Sequence, residues 1–166
     1  MNENIIKEKD DDLNMFLAIV QSSRSSCVSH QVGCVISRDR RIISSGYNGT
    51  VSGVPNCNKV NEIGSHTHSE WSRKNEIHAE MNAILAAAKS GISLDGCTLY
   101  TTLSPCPDCC KNIAATGIKR IVYLEDYNKS ESDWVIKCKS YGISVTKIPK
   151  ENVTKIHERV LSCILD

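Results

Sequence analysis

Two short motifs hold residue types able to bind a metal and to move a proton. One is His78-Ala79-Glu80; the other, behind Pro105, is Cys106-Pro107-Asp108-Cys109, which starts 28 residues after the histidine. Cysteines at i and i+3 lie on one face of a helix, so both sulfurs can reach one ion. At a helix N-terminus the dipole also favours thiolate over thiol. A neutral imidazole and two thiolates give Zn²⁺ three protein ligands and leave its fourth position open, which distinguishes a catalytic from a structural zinc. His78 and Glu80 are two positions apart, roughly 200° around a regular helix. They converge only at the helix end, where the longer Glu80 side chain reaches back past the first turn, beside the open position. Zinc lowers the pKa of bound water towards ~7, and Glu80 is then the group able to carry a proton between that water and a substrate. A structural zinc knuckle would have no use for Glu80. Cys110 points elsewhere by its spacing and is expected in the core.

These residues need elements to hold them. Leu13, Phe16, Leu17 and Val20 follow helical spacing behind Asp10 to Asp12, which read as an acidic first turn. QVGCVIS and RIISSGYN are short β-branched runs joined by the polar turn Arg38-Asp39-Arg40, a predicted hairpin. Residues 48–76 are rich in Gly, Ser, Asn and Thr and read as an insert that something must hold in place. IHAEMNAILAAAKSG is a predicted helix closed by Gly91, and residues 97–102 a strand. Pro105 is expected to open a helix that Gly117 closes. Then follow strand RIVYLE, a helix ending at Gly142, strand ISVTKI, and a helix at 152–165 with Val153, Ile156, Val160 and Ile164 on one stripe. The order predicts one α/β domain over residues 1–166: a three-layer α/β/α arrangement of a five-stranded mixed sheet with helices on both faces.

Bulk properties narrow the partners. The 166 residues carry 20 basic and 19 acidic side chains. That near-neutral balance disfavours a polynucleotide partner, which calls for a basic excess. Stacking platforms for single strands also need aromatics, and the chain has one Phe, two Trp and five Tyr. The N-terminus is polar and acidic, and no run approaches a membrane span, so a cytoplasmic protein without a membrane partner is expected. Nine cysteines, an odd number with no export signal, argue against a disulfide framework and for buried thiols or metal ligands.

The pairing of H-x-E with P-C-x-x-C is a recognised signature of zinc nucleobase deaminases. At these residues the chain resembles the cytidine deaminase-like superfamily, and within it the deoxycytidylate deaminases of the T-even phage type. The resemblance runs from about Cys27 to about Pro149, on VGCVIS, GYNGTVSG, HSEWSRKNEIHAEMNAI, TLSPCPDC and Tyr127-Asn128-Lys129. It implies a zinc-dependent conversion of dCMP to dUMP and ammonia, supplying dUMP for thymidylate synthesis. In that family, zinc-bound hydroxide attacks C4 of cytosine and Glu80 serves as proton shuttle. It implies nucleotide contacts from Asn48, the backbone around Ala79 and Ser104, and Tyr123, Tyr127 and Lys129. It also implies a second, structural zinc on Cys27, Cys57, His68 and Glu76 that clamps the 48–76 insert; His66, two residues away in sequence, is the alternative to His68. Further implications are a homohexamer and a viral source, acting in the host cytoplasm. Regulation is implied too: activation by dCTP and inhibition by dTTP, with Mg²⁺ accompanying the triphosphate, at a segment holding Gly46, Tyr47, Asn48 and Gly49. The family commonly has Lys where this chain has Gln31 before Val32-Gly33. dCTP or a 5-modified dCMP is therefore the alternative substrate, and a tRNA or single-stranded DNA the lesser one.

Overall fold

The β-branched runs become the strands of a mixed sheet in a computed structural model that describes residues 3–59, 68–127 and 132–165. The elements in chain order are α1 (Glu3–Ser22), β1 (Gly33–Arg38), β2 (Arg41–Tyr47), β3 (Gly49–Thr50), α2 (His68–Asn75), β4 (Glu76–Ile77), α3 (Ala79–Lys89), β5 (Thr98–Leu103), α4 (Pro107–Ala115), β6 (Arg120–Glu125), α5 (Ser132–Ser140), β7 (Ser144–Lys147) and α6 (Lys150–Leu165). The main sheet has the order β2-β1-β5-β6-β7. β1 is antiparallel to β2 and β5, while β5, β6 and β7 run parallel. Asp39 and Arg40 turn the hairpin with φ of 51° and 64°, the left-handed pair whose twist suits a two-residue hairpin loop.

Alternation along the strands separates two cores. Cys34 and Ile36 of β1, Leu99 of β5, and Ile121 and Tyr123 of β6 face α3, α4 and α5, where they meet Ala83, Ile113 and Trp134. Val35, Tyr100, Val122 and Leu124 face the opposite way and pack with Met15 and Ala18 of α1. Helices therefore cover both faces, as the order of elements predicts. Cys34, Cys97, Cys110 and Cys138 are small buried hydrophobes of the first core.

Three local expectations need correcting. The acidic triplet is not a first turn, because α1 starts at Glu3. Its acids sit mid-helix because each meets a partner. Asp10 pairs with Arg40, and Asp12 accepts a bond from Asn152 on α6. Asp11, buried, takes both Arg120 amines at 2.6 and 2.7 Å and the Tyr100 hydroxyl at 2.9 Å. Second, the stretch 48–76 is not simply loop. β3 and β4 pair antiparallel, Gly49 with Ile77 and Thr50 with Glu76, and close it into a loop, with a 3₁₀ turn at Cys57–Lys59 and α2 inside. Third, α4 is opened by Cys106 as N-cap and Pro107 as first residue, not by Pro105. Val153 packs on the α1 side of the sheet and Ile156 is buried, as the stripe requires. The side chains of Val160 and Ile164 lie outside the described residues.

Candidate active site and metal centres

α3 and α4 present their N-termini to the same place. His78 is the N-cap of α3, with extended backbone and no side-chain capping bond, so its imidazole is left for other work. Cys106 caps α4 in the same extended conformation, and its sulfur accepts the Cys109 N–H at 3.4 Å. Proline at the first helical position loses no hydrogen bond, since that N–H has no partner in the helix. His78 Nδ1 then lies 3.5 Å from Cys106 Sγ and 3.4 Å from Cys109 Sγ. Tetrahedral zinc with bonds of about 2.0–2.3 Å separates neighbouring ligand atoms by about 3.5 Å. The donor set and its spacing therefore fit zinc.

The electrostatics fit as well. The Cys109 hydrogen bond, with further help from His78, holds the Cys106 thiol down at about 4, so it is a thiolate at neutral pH. Cys109 is pushed up because it shares that bond, and burial pushes it further. The bond to Cys106 raises His78, against the effect of burial. Glu80, 4% exposed, is raised from 4.5 to about 7, chiefly by burial. A carboxyl near neutrality can both take and give a proton at working pH.

A second cluster joins Cys27, Cys57, His68 and Glu76, with one ligand atom of each within 4.8 Å of the others. Cys27 Sγ stands 3.5 Å from His68 Nε2, and the Val28 N–H points at Cys57 Sγ from 3.3 Å. Glu76 Oε2 is held by Ser72 at 2.6 Å, whereas Oε1 is buried with no hydrogen-bond partner among the described residues. Burial first, then the neighbouring Glu76 and Cys27, push the Cys57 thiol up to about 11, against the Val28 bond. A cation among these groups would relieve both the orphaned oxygen and the raised thiol. This donor set also fits zinc. His66 lies outside the described residues.

The remaining expected residues fall in three places. Just beyond the ends of β5 and β6, Ser104 accepts the Tyr127 N–H at 2.8 Å, and the Tyr127 ring meets His30 edge-on at 5.4 Å. Ala79 is fully buried at the start of α3. Asn48 is buried, with its amide engaged by Val32 N–H at 2.8 Å and His30 C=O at 2.9 Å. Tyr123 is set back in the core against Trp134, at 5.1 Å between ring centroids. Tyr47 lies beneath the Arg24 guanidinium at 5.0 Å, and Gly49 belongs to β3. Gly46 is a point of contact: a Cβ there would come within 2.5 Å of Ala79 O and Ala83 N. Lys129 lies outside the described residues. Sequence reasoning missed three polar anchors: Ser72, which orients Glu76; Asn56, whose Oδ1 takes the Thr50 N–H at 3.0 Å; and Asn82. Ser72 had a legible signal, four residues before Glu76 on a short helix; Asn56 acts on Thr50 within its own loop, and Asn82 reaches across the fold to Tyr47.

Two helix N-termini that meet over one mixed sheet, each capped by a residue able to ligate a metal, define the cytidine deaminase-like class. The comparisons with known proteins agree. Residues 8–125 match the cytidine and deoxycytidylate deaminase zinc-binding region. The chain is 42% identical to the deoxycytidylate deaminase of Enterobacteria phage T4 over 175 aligned positions, 85% of this chain and 91% of the relative. The Saccharomyces cerevisiae deoxycytidylate deaminase is 36% identical, over 81% of this chain and 43% of that one. A solved dCMP deaminase from the cyanophage S-TIM5, in complex with dCMP and dUMP, superposes with a TM-score of 0.70 at 34% identity, covering 89% of this chain and 99% of that chain. The chain belongs to the cytidine and deoxycytidylate deaminase family, with relatives of the T-even phage type in it. No helix among the described residues is long and apolar enough to cross a membrane.

Proposed function

We propose that this protein hydrolyses dCMP to dUMP and ammonia, with His78, Cys106 and Cys109 as zinc ligands and Glu80 as proton carrier. The observation that carries the reading is the convergence of the three donors at two helix ends beside a buried glutamate raised to about 7. Bound by these donors, zinc would supply the Lewis acidity that brings a water's pKa near neutrality. Glu80 accepts the proton of the attacking water, delivers it to N3 of cytosine, and assists the departure of the C4 amine as ammonia. Burial of Glu80 keeps bulk water from levelling its pKa. By analogy with the family, Ala79 and Ser104 supply backbone around the base, and Asn48 and Tyr127 flank the nucleotide; Tyr123, packed on Trp134, backs the site from the core.

The second donor set is read as a structural zinc site, making residues 1–166 one domain with a clamped insert. A homohexamer working in the host cytoplasm, and dCTP and dTTP effectors with Mg²⁺ at Gly46–Gly49, complete the reading by analogy with the family. One observation favours a second substrate. Gln31 donates its amide to Ser25 C=O at 3.0 Å, and this uncharged side chain stands at the position where the family commonly has Lys. Looser phosphate reading would admit dCTP or a 5-modified dCMP. The test is ammonia release from dCMP, dCTP, deoxycytidine, cytidine and a cytosine oligonucleotide. dCMP should be the best unmodified substrate; a clear preference for cytidine or the oligonucleotide overturns the assignment.

A further inference from the structure

Asn82 stands two residues after Glu80, and its side chain leaves the first turn of α3 towards β2. Its Nδ2 donates to Tyr47 C=O at 2.7 Å and to Ile77 C=O at 3.3 Å, while its backbone N–H donates to His78 C=O at 2.9 Å. Tyr47 ends β2, and Ile77 ends β4 immediately before His78. One amide therefore joins the end of β2, the residue that precedes a proposed zinc ligand, and the helix that carries the proposed proton carrier. The chemistry selects asparagine. Its NH₂ has two donors for two carbonyls, aspartate would add acceptors against them, and serine has a single donor. His78 makes no capping bond of its own and is exposed, so its setting comes from the backbone on either side of it.

We infer that Asn82 is a positioning residue: by holding the Ile77 carbonyl and the first turn of α3 together, it sets the direction from which His78 Nδ1 meets Cys106 and Cys109, and the place of Glu80 beside them. The effect on turnover rests on the deaminase reading; the effect on metal geometry does not. Ser44 provides an internal control. Its hydroxyl also ties β2 to α3, donating to Ala83 C=O at 2.7 Å, but touches neither Ile77 nor His78.

The experiment compares Asn82→Ala with Ser44→Ala, each loaded with zinc for kinetics and with Co²⁺ for visible absorption, which reports ligand geometry. Ser44→Ala should lower the melting temperature and leave kcat and the cobalt spectrum as in the parent. Asn82→Ala should lower kcat by about 10–100-fold, the usual effect of removing a group that orients a metal ligand, with KM for dCMP little changed and the cobalt bands shifted. If Asn82→Ala matches Ser44→Ala in kcat and spectrum at a similar loss of melting temperature, Asn82 only holds the fold and the inference is overturned. Should Asn82→Ala not be recovered folded, Asn82→Ser keeps one donor and should show the same changes in smaller degree; a parental cobalt spectrum and kcat there overturn it equally. A parent protein inactive on dCMP would sink the functional reading instead, and the cobalt spectra would still decide the role of Asn82.

Discussion

At the residue scale, Glu80 carries two opposed demands. Burial raises its carboxyl to about 7, which suits proton transfer and works against folding. Replacement by Gln keeps its size and removes the proton carrier. Turnover of Glu80→Gln should fall by about 10²–10⁴-fold, the range for a general acid–base group, with zinc retained in metal analysis. Near-normal turnover in the zinc-loaded variant would remove Glu80 from the mechanism. The same variant gives a pH test in metal-free protein. The folded pKa lies above the unfolded one, so between 4.5 and about 7 the native state binds more protons than the unfolded state. Stability therefore declines as pH rises through that window, by about 3 kcal/mol in all. Metal-free Glu80→Gln should melt above the parent at pH 8 and level with it near pH 4. A variant less stable than the parent at pH 8 would mean that the ionised carboxylate is stabilised where it sits.

At the element scale, two contacts decide whether the site is assembled. Among the described residues the loop from Asn48 to Glu76 is closed by two pairs of strand residues, and on the proposed reading a zinc ion on Cys27, Cys57, His68 and Glu76 clamps it. Structural zinc contributes folding energy directly. Metal analysis should find two zinc ions in the parent chain and one in Cys57→Ala, whose loop should become sensitive to protease. Cys106→Ala should also keep one zinc, lose activity and leave that loop protected. A single zinc unaffected by Cys57→Ala would reject the second site. The other contact is Gly46 against α3. An alanine there would drive its Cβ into the backbone at Ala79 and Ala83, and overpacking of this kind costs about 1–3 kcal/mol. Because Ala79 lies between His78 and Glu80, Gly46→Ala should lose activity at temperatures where circular dichroism shows it folded. Full activity would show that α3 can shift without harm.

On the scale of the whole molecule, α1 is fastened to the sheet by Asp11, Arg120 and Tyr100, on the face opposite α3 and α4. Removing one partner of such an ion pair strands the other and costs about 3–5 kcal/mol. Asp11→Ala should show that loss in denaturant titration and retain the zinc content of its folded fraction. A loss under about 1 kcal/mol would place the pair among weak surface contacts. Regulation belongs to this scale too. On the proposed effector reading, Val51 is exposed in the loop after Gly49, and a proline there would lower the ordering cost by roughly 0.4–1 kcal/mol. Activation by dCTP and inhibition by dTTP should thus need higher concentrations than in Val51→Pro. Hyperbolic kinetics indifferent to both nucleotides in both proteins would end the effector reading and leave the catalytic one untouched.

The sequence by itself determined the family, the three-layer order of helices and strands, and His78, Cys106 and Cys109 as a candidate ligand set; the second set came only through the family resemblance. It could do so because H-x-E and P-C-x-x-C are local in sequence, and because periods of two and of about 3.6 residues are written in consecutive side chains. Only the tertiary structure decided why the acidic triplet stands mid-helix, since Asp10, Asp11 and Asp12 answer to Arg40, Arg120 with Tyr100, and Asn152, partners far along the chain. It turned a presumed loop into one closed by β3 and β4, a pairing of two residues with two that leaves no periodic trace. It also gave Gly46 its reason, which is space for the backbone of α3, and gave Asn82 its partners at Tyr47 and Ile77. Each of these depends on a distance between segments remote in sequence, and such distances exist only once the hydrophobic cores on the two faces of the sheet have closed.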